Sequence, residues 1–196
     1  GQPHDEGTFS TAGLVYHVIM VRKTPEGIVH EVDKPGLAAG MTVTAIIDWN
    51  RRYTLMRHHT ATHLLSALFH DQEGVVITGN QLGVEKSHMD LNLTDWSKEK
   101  IEKIIAQANV IIKNDAPVKT YTLSKDKVLH DPSLVKLAKK EFLEKLKEVR
   151  IVEIEGIDKQ ADGGTHVRSL KEIGTISLLK IENKGKDRKR IYITLP

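Results

Sequence analysis

At 196 residues, with 39% hydrophobic and 28% charged residues, the chain has the composition of an ordinary globular protein and lies outside the regime of disorder. No apolar run approaches the roughly 20 residues needed to span a bilayer and no charged leader precedes an apolar segment, so no membrane partner and a cytoplasmic location are expected. The absence of cysteine excludes disulfides, thiolate catalysis and thiolate ligation together and leaves ten histidines as nitrogen donors, while the net charge of +3 is compatible with a polyanionic partner but short of the footprint of a dedicated nucleic-acid binder.

The chain opens on Gly1-Gln2-Pro3-His4-Asp5-Glu6-Gly7 without an initiator methionine, and the first domain is expected to be truncated at its start. Short β-type runs at Leu14 to Val21, Ile28 to Val32 and Val43 to Asp48 alternate with turn residues, among them Pro25-Glu26-Gly27 and Pro35-Gly36. They read as a small antiparallel sheet or barrel. From Arg57 to about His70 the period becomes helical, with Leu64, Leu65 and Leu68 beside a ladder of histidines. Strands are expected at Val75 to Ile77 and His88 to Leu93, with Gly79, Asn80 and Gly83 in the connection between them. Ser97 to Asn114 is the clearest helix, its isoleucines on one face and lysines and glutamates on the other. A further helix is expected from Pro132 to Val149, capped by Asp131, followed by strands at Arg150 to Ile154, Ile173 to Glu182 and Arg190 to Leu195.

Chemistry concentrates in two places. His59-Thr60-Ala61-Thr62-His63 sets two imidazoles four apart in a helical pattern, one above the other and able to grip one ion. A zinc peptidase is unsupported, because the general-base glutamate that follows the first histidine in that motif is here Thr60. Far along the chain, Asp162-Gly163-Gly164-Thr165-His166 again separates two ligand types by four, across a Gly-Gly step that permits a sharp turn with positive φ. Three neutral imidazoles and a carboxylate form a sound tetrahedral set for zinc. Alternatively three histidines hold the ion, and Asp162 orients a ligand or takes a proton from bound water.

Taken together the two elements resemble the editing domain of alanyl-tRNA synthetase and its free-standing relatives, the AlaX trans-editing proteins. The resemblance runs through Gly1 to Gly7, Asp48-Trp49, Arg51-Arg52, Arg57 to Leu65, Asp158 to Val167 and Glu172-Ile173-Gly174. It implies an α+β protein of the medium or long AlaX type, with a small N-terminal β-barrel domain at 1–54. A two-layer α/β editing core with a mostly antiparallel sheet is implied at 55–196. One zinc ion per chain, held by His59, His63, Asp162 and His166, and hydrolysis in trans of mischarged alanine tRNA carrying serine or glycine are also implied. The family usually has cysteine where this sequence has Asp162, a harder ligand that changes affinity and metal preference.

On that reading, Asp162, Thr60 and Thr78 are the candidate catalytic residues, and Thr60, Thr62 and Thr78 are candidates to bond the serine hydroxyl, with Asn80 and Gln81 in the adjoining turn. Unpaired polar groups would then penalise alanine. The metal either activates water and polarises the ester or binds the substrate's amino group. Arg51, Arg52, Arg57, Arg168 and the Lys184 to Arg190 turn are expected to meet tRNA phosphates. His58 and His88 are expected at the surface or in supporting roles. The rival readings are a non-catalytic tRNA-binding module with a structural metal, and editing of another mischarged tRNA such as threonine tRNA.

Overall fold

The computed structural model describes residues 2–93, 96–131, 134 and 146–196. It divides into two compact units, Pro3–Leu55 and Gly1–Gln2 with Met56–Pro196.

In the first unit, β1 (Gly7–Thr11), β2 (Leu14–Thr24), β3 (Gly27–Val32) and β4 (Thr44–Ile47) form an antiparallel sheet in the order β3-β2-β1-β4. β1 and β2 join through Ala12 and Gly13, both at positive φ (48° and 77°), the backbone of a type I′ hairpin turn. Among the described residues β3 and β4 remain edges and no sheet closes, which overturns the expected β-barrel. Alternation identifies strands and their faces but not whether two distant edges pair. The open sheet leaves apolar side chains in solvent, Ile28 at 69% and Ile46 at 62% exposure, while Tyr16 and Val18 are buried. β1, rich in Ser, Thr and Gly, carries no apolar alternation and was not among the expected strands.

Helix α1 runs Trp49–Glu73, eight residues ahead of the start that the apolar period suggests. Its true start is chemical: the Asp48 carboxylate accepts the Arg51 N–H at 3.0 Å, the geometry of an N-cap. In the second unit the elements that follow are β5 (Ile77–Gln81), β6 (Ser87–Leu91), α2 (Lys98–Asn114), β7 (Val118–Ser124), α3 (Lys125–Leu129), β8 (Glu148–Ile154), β9 (Asp158–Ala161), β10 (Ser177–Asn183) and β11 (Lys189–Thr194). A short 3-10 helix spans Leu170–Ile173, and the strand expected from Ile173 begins at Ser177.

The expected single sheet of the core is two antiparallel sheets, β10-β11-β6-β5 and β7-β8-β9. β6 and β11 bury alternate residues, Met89 and Leu91 in one, Ile191 and Ile193 in the other. Burial of Leu64, Leu65 and Phe69 on α1 and of Ile101, Ile104, Ile105, Ala108 and Ile112 on α2 completes a core of the helix-on-sheet kind. Ser97 caps α2, its Oγ accepting the Lys100 N–H at 3.2 Å. Asn109 fastens that helix to the strand approach by a two-way bond with the Ile176 backbone, at 2.9 and 2.8 Å. Val128, Leu134, Val149 and Ile151 form a smaller core cluster. Most of the helix expected over Pro132 to Val149 lies outside the described residues, and Glu148 and Val149 belong to β8. Gly79 and Asn80 are in β5 rather than in a connection. No helix among the described residues is long and apolar enough to cross a membrane.

Candidate metal centre

Two arms build the centre. Within α1, His59 and His63 stand one turn apart, 5% and 3% exposed, where helical repeat puts side chains four residues apart on one face. The second arm leaves the β8–β9 hairpin, in which Ile151 faces Ala161 and Ile154 faces Asp158. Arg150 in β8 shapes the loop that follows: its Nη1 donates to the carbonyls of Asp162 and Gly164, at 2.9 and 2.7 Å. The Asp162 N–H returns a bond to the Arg150 carbonyl at 3.1 Å, and the Gly164 N–H donates to Asp162 Oδ1 at 2.5 Å.

Neither Gly163 nor Gly164 adopts a positive φ, so the turn does not use the glycine conformation that the sequence suggests. Gly164 is required for a different reason. A Cβ there would overlap the His59 ring, falling 2.5 Å from Nδ1, whereas one at Gly163 would meet nothing within 4 Å.

His59, His63, Asp162 and His166 each offer one ligand atom, all within 4.8 Å of one another. Asp162 Oδ2 lies 3.4 Å from His59 Nε2 and 3.7 Å from His63 Nε2, and Asp162 Oδ1 lies 3.3 Å from His166 Nε2. Donors about 2.0–2.2 Å from a tetrahedral ion stand about 3.3–3.6 Å apart, so the three carboxylate–imidazole distances come close to that spacing, and the nitrogen and oxygen donors together could hold a metal ion. Access is one-sided: the Asp162 side chain is 23% exposed, against 7%, 4% and 1% for His59, His63 and His166.

Each imidazole has its Nδ1 next to a further polar group. His59 Nδ1 is 3.3 Å from Gln2 Oε1, which also accepts the Thr165 N–H at 2.9 Å, while Gln2 Nε2 donates to Thr165 Oγ1 at 2.7 Å. His166 Nδ1 is 3.2 Å from Thr60 Oγ1. That hydroxyl donates to the Met56 carbonyl at 3.0 Å and also accepts the Val167 N–H at 3.3 Å. His63 Nδ1 lies 3.3 Å from Asp158 Oδ2 and 3.1 Å from Gln160 Nε2, and that Gln160 amide donates to the same Asp158 oxygen at 2.7 Å.

The electrostatics differ among the three rings. Burial pushes His166 down to about 3 and lowers His59, leaving both rings neutral at pH 7. Burial opposes the charged form of His63 as well, but bonds to Asp158 and Asp162 outweigh it and raise the ring. Burial pushes Asp162 up, but bonds from His166, His59 and His63 together outweigh it and hold the carboxyl well below the usual carboxylate range. His58 is fully buried rather than at the surface, next to Ser87 Oγ at 3.0 Å.

The other candidates are dispersed. The Thr60 hydroxyl is consumed as described, and Thr62 is buried with its hydroxyl on the His58 carbonyl at 2.9 Å. Thr78 is exposed and donates to the Asp90 carbonyl at 3.4 Å. It lines an open cleft of about 460 Å³ with Asn92 and residues 184–188, and no residue of the metal cluster lines that cleft. Asn80 and Gln81 lie opposite Met89 and His88 in the ladder. Arg57 is committed to carbonyls: Nε to Glu172 at 2.9 Å, and Nη2 to Ile173 and Pro196 at 2.8 and 2.7 Å. Arg51 pairs with Glu6 at 3.2 Å and Arg52 grips both oxygens of Asp5. Arg168 is exposed. Gln2, Arg150, Asp158 and Gln160 escaped sequence reasoning as individual site residues. A period-two reading of Asp158 to Ala161 would have placed Asp158 and Gln160 on one face just ahead of Asp162.

Comparison with known proteins gives this architecture a class. The model of the family described as "Threonyl and Alanyl tRNA synthetase second additional domain" matches residues 149–192, a stretch that holds β9, the Asp162–His166 loop and β10. An alanine–tRNA ligase of Methanobrevibacter smithii is 36% identical over 190 residues, covering 93% of this chain and 21% of the ligase. The alanyl-tRNA editing protein AlaX-M of Methanosarcina barkeri is 40% identical over 201 residues, covering 100% of this chain and 83% of its own length. That of Saccharolobus solfataricus is 46% identical over 169 residues, covering 86% and 70%. The chain belongs to the AlaX-M family of alanyl-tRNA editing proteins.

Proposed function

We propose that the chain hydrolyses, in trans and in the cytoplasm, the ester bond of alanine tRNA mischarged with serine or glycine. The carrying observation is a cluster of three buried imidazoles and one half-buried carboxylate in a chain of this family. On this reading residues 55–196 form the editing domain and 1–54 an accessory N-terminal domain. His59, His63, His166 and Asp162 hold one zinc ion, which when bound supplies Lewis acidity and an activated water.

The residues around the ion set what substrate meets. The three histidines form a closed floor, and approach is from the Asp162 side, where the exposure lies. Arg150 and Gly164 hold the loop so that its carboxylate stays on the cluster. Thr60 acts on the His166 ring rather than as a free hydroxyl. Phosphate contacts fall to Lys186 and Arg188 in the cleft and to Arg168, because Arg57 Nε and Nη2 are engaged by carbonyls and Arg190 is paired with Asp90 at 2.6 Å.

A second reading is favoured by the closed donor set itself. Four protein ligands saturate a tetrahedron, the pattern of a structural ion, unless Asp162 yields or the ion adds a fifth ligand. Deacylation of serine-, glycine- and alanine-charged alanine tRNA, with and without chelator and zinc restoration, separates the two. Metal-dependent loss of serine or glycine with alanine spared is the expected result. A zinc-loaded protein that spares all three, and mischarged threonine tRNA assayed beside them, supports the structural ion, whereas loss from threonine tRNA alone moves the substrate.

A further inference from the structure

Among the described groups that surround the ligands, Asp158 is a buried charge whose place the hydrolytic reading leaves without a role. Its side chain is 1% exposed, on β9, a different element from the helix that carries His63. An ionised carboxylate is costly to bury, and it persists where donors converge on it. Two do so here on a single oxygen, the Gln160 amide at 2.7 Å and His63 Nδ1 at 3.3 Å; Gln160 Nε2 also stands 3.1 Å from that Nδ1, so its second N–H competes with the carboxylate for the ring nitrogen. On the opposite edge of the same ring, Nε2 faces Asp162 at 3.7 Å within the ligand cluster.

We infer that Asp158 is a positioning residue of the metal centre: its carboxylate holds the Nδ1 proton of His63 and so leaves the Nε2 lone pair for the ion. A neutral imidazole has one N–H, and only the bare nitrogen can ligate, so whichever group claims the proton decides which nitrogen binds. A carboxylate behind the ring also makes it a more basic donor, and Gln160 fixes the direction from which that carboxylate acts. Gln2 and Thr60 are neutral partners for the other two rings, so the charged support falls on His63 alone. The inference rests on the four-residue metal centre, and it can fail while that centre stands.

Two measurements test it. In the zinc-loaded wild-type protein, long-range proton–nitrogen NMR should find the His63 proton on Nδ1, and a proton on Nε2 overturns the inference whatever any variant does. Asp158→Asn, which keeps the shape and removes the charge, should bind zinc about 10–100-fold more weakly in competition with a chromophoric chelator. That affinity is measured on protein whose metal-free circular dichroism matches wild type, so a purely structural role for Asp158 would leave it unchanged. An unchanged affinity overturns the inference and leaves the metal centre intact. Failure of the wild-type protein to bind zinc overturns both.

Discussion

His59 and His63 reach the centre from a helix whose own backbone bonds keep residues four apart on one face. Asp162 and His166, also four apart, reach it from a loop with no repeat to rely on. The loop's shape is imposed from outside, by Arg150 on two of its carbonyls, by Gln2 on Thr165 and by the missing Cβ of Gly164 against His59. Equal spacing in sequence therefore conceals unequal security. The helical arm is sensitive to what is buried beside it, and the loop arm to small changes in the residues that clamp it.

The largest expected effect lies on the helical arm and is read with pH. Burial and the neighbouring Arg57 charge push His58 down to about 4, below its ordinary value of about 6.5. The unfolded chain therefore takes up this proton first as pH falls. Stability from His58 is complete above about pH 6.5, is lost progressively down to about pH 4, and is level below that. The loss amounts to about 3 kcal/mol at most. Titration of the metal ligands is common to wild type and His58→Asn, so the difference between their denaturation curves isolates this term. Wild type should lose stability relative to the variant across that interval, and a constant difference would sink the assignment.

A smaller effect distinguishes the two glycines of the loop arm. Gly164→Ala should cost about 1–3 kcal/mol through overpacking and should weaken zinc binding, because the new methyl meets the His59 ring. Gly163→Ala should stay within about 0.5 kcal/mol, since the added carbon meets nothing and the residue has no positive φ to strain. Equal costs at the two positions, measured by chemical denaturation, would show that the loop relaxes around the methyl and that His59 is not packed against it.

The same contrast explains what could be read from residues alone. Both pairs of candidate ligands are legible, because four-residue spacing is local and the residue types are chemically distinctive. Their supports are not, because Gln2 to Thr165 and Gln160 to His63 are pairings between residues remote in sequence, in which neither partner is unusual where it stands. Arg57 illustrates a different limit: a basic residue in a histidine-rich helix suggests phosphate, and only the folded chain shows its Nε and Nη2 bonded to the carbonyls of Glu172, Ile173 and Pro196. In the first unit β2, β3 and β4 followed from alternation, whereas closure into a barrel depends on whether β3 and β4 meet, and no pattern within either strand encodes that. The early start of α1 was encoded, in the Asp48 cap, but the first turns lack the apolar period that makes a helix easy to see.

Four side chains from a helix and a loop converge as one candidate metal centre. X-ray absorption spectroscopy of the zinc-loaded protein tests it most directly, with metal content measured on the same sample. The expected result is one zinc per chain, surrounded by three imidazole nitrogens and one oxygen at about 2.0–2.2 Å. A shell dominated by oxygen, with fewer than three imidazoles, would contradict it.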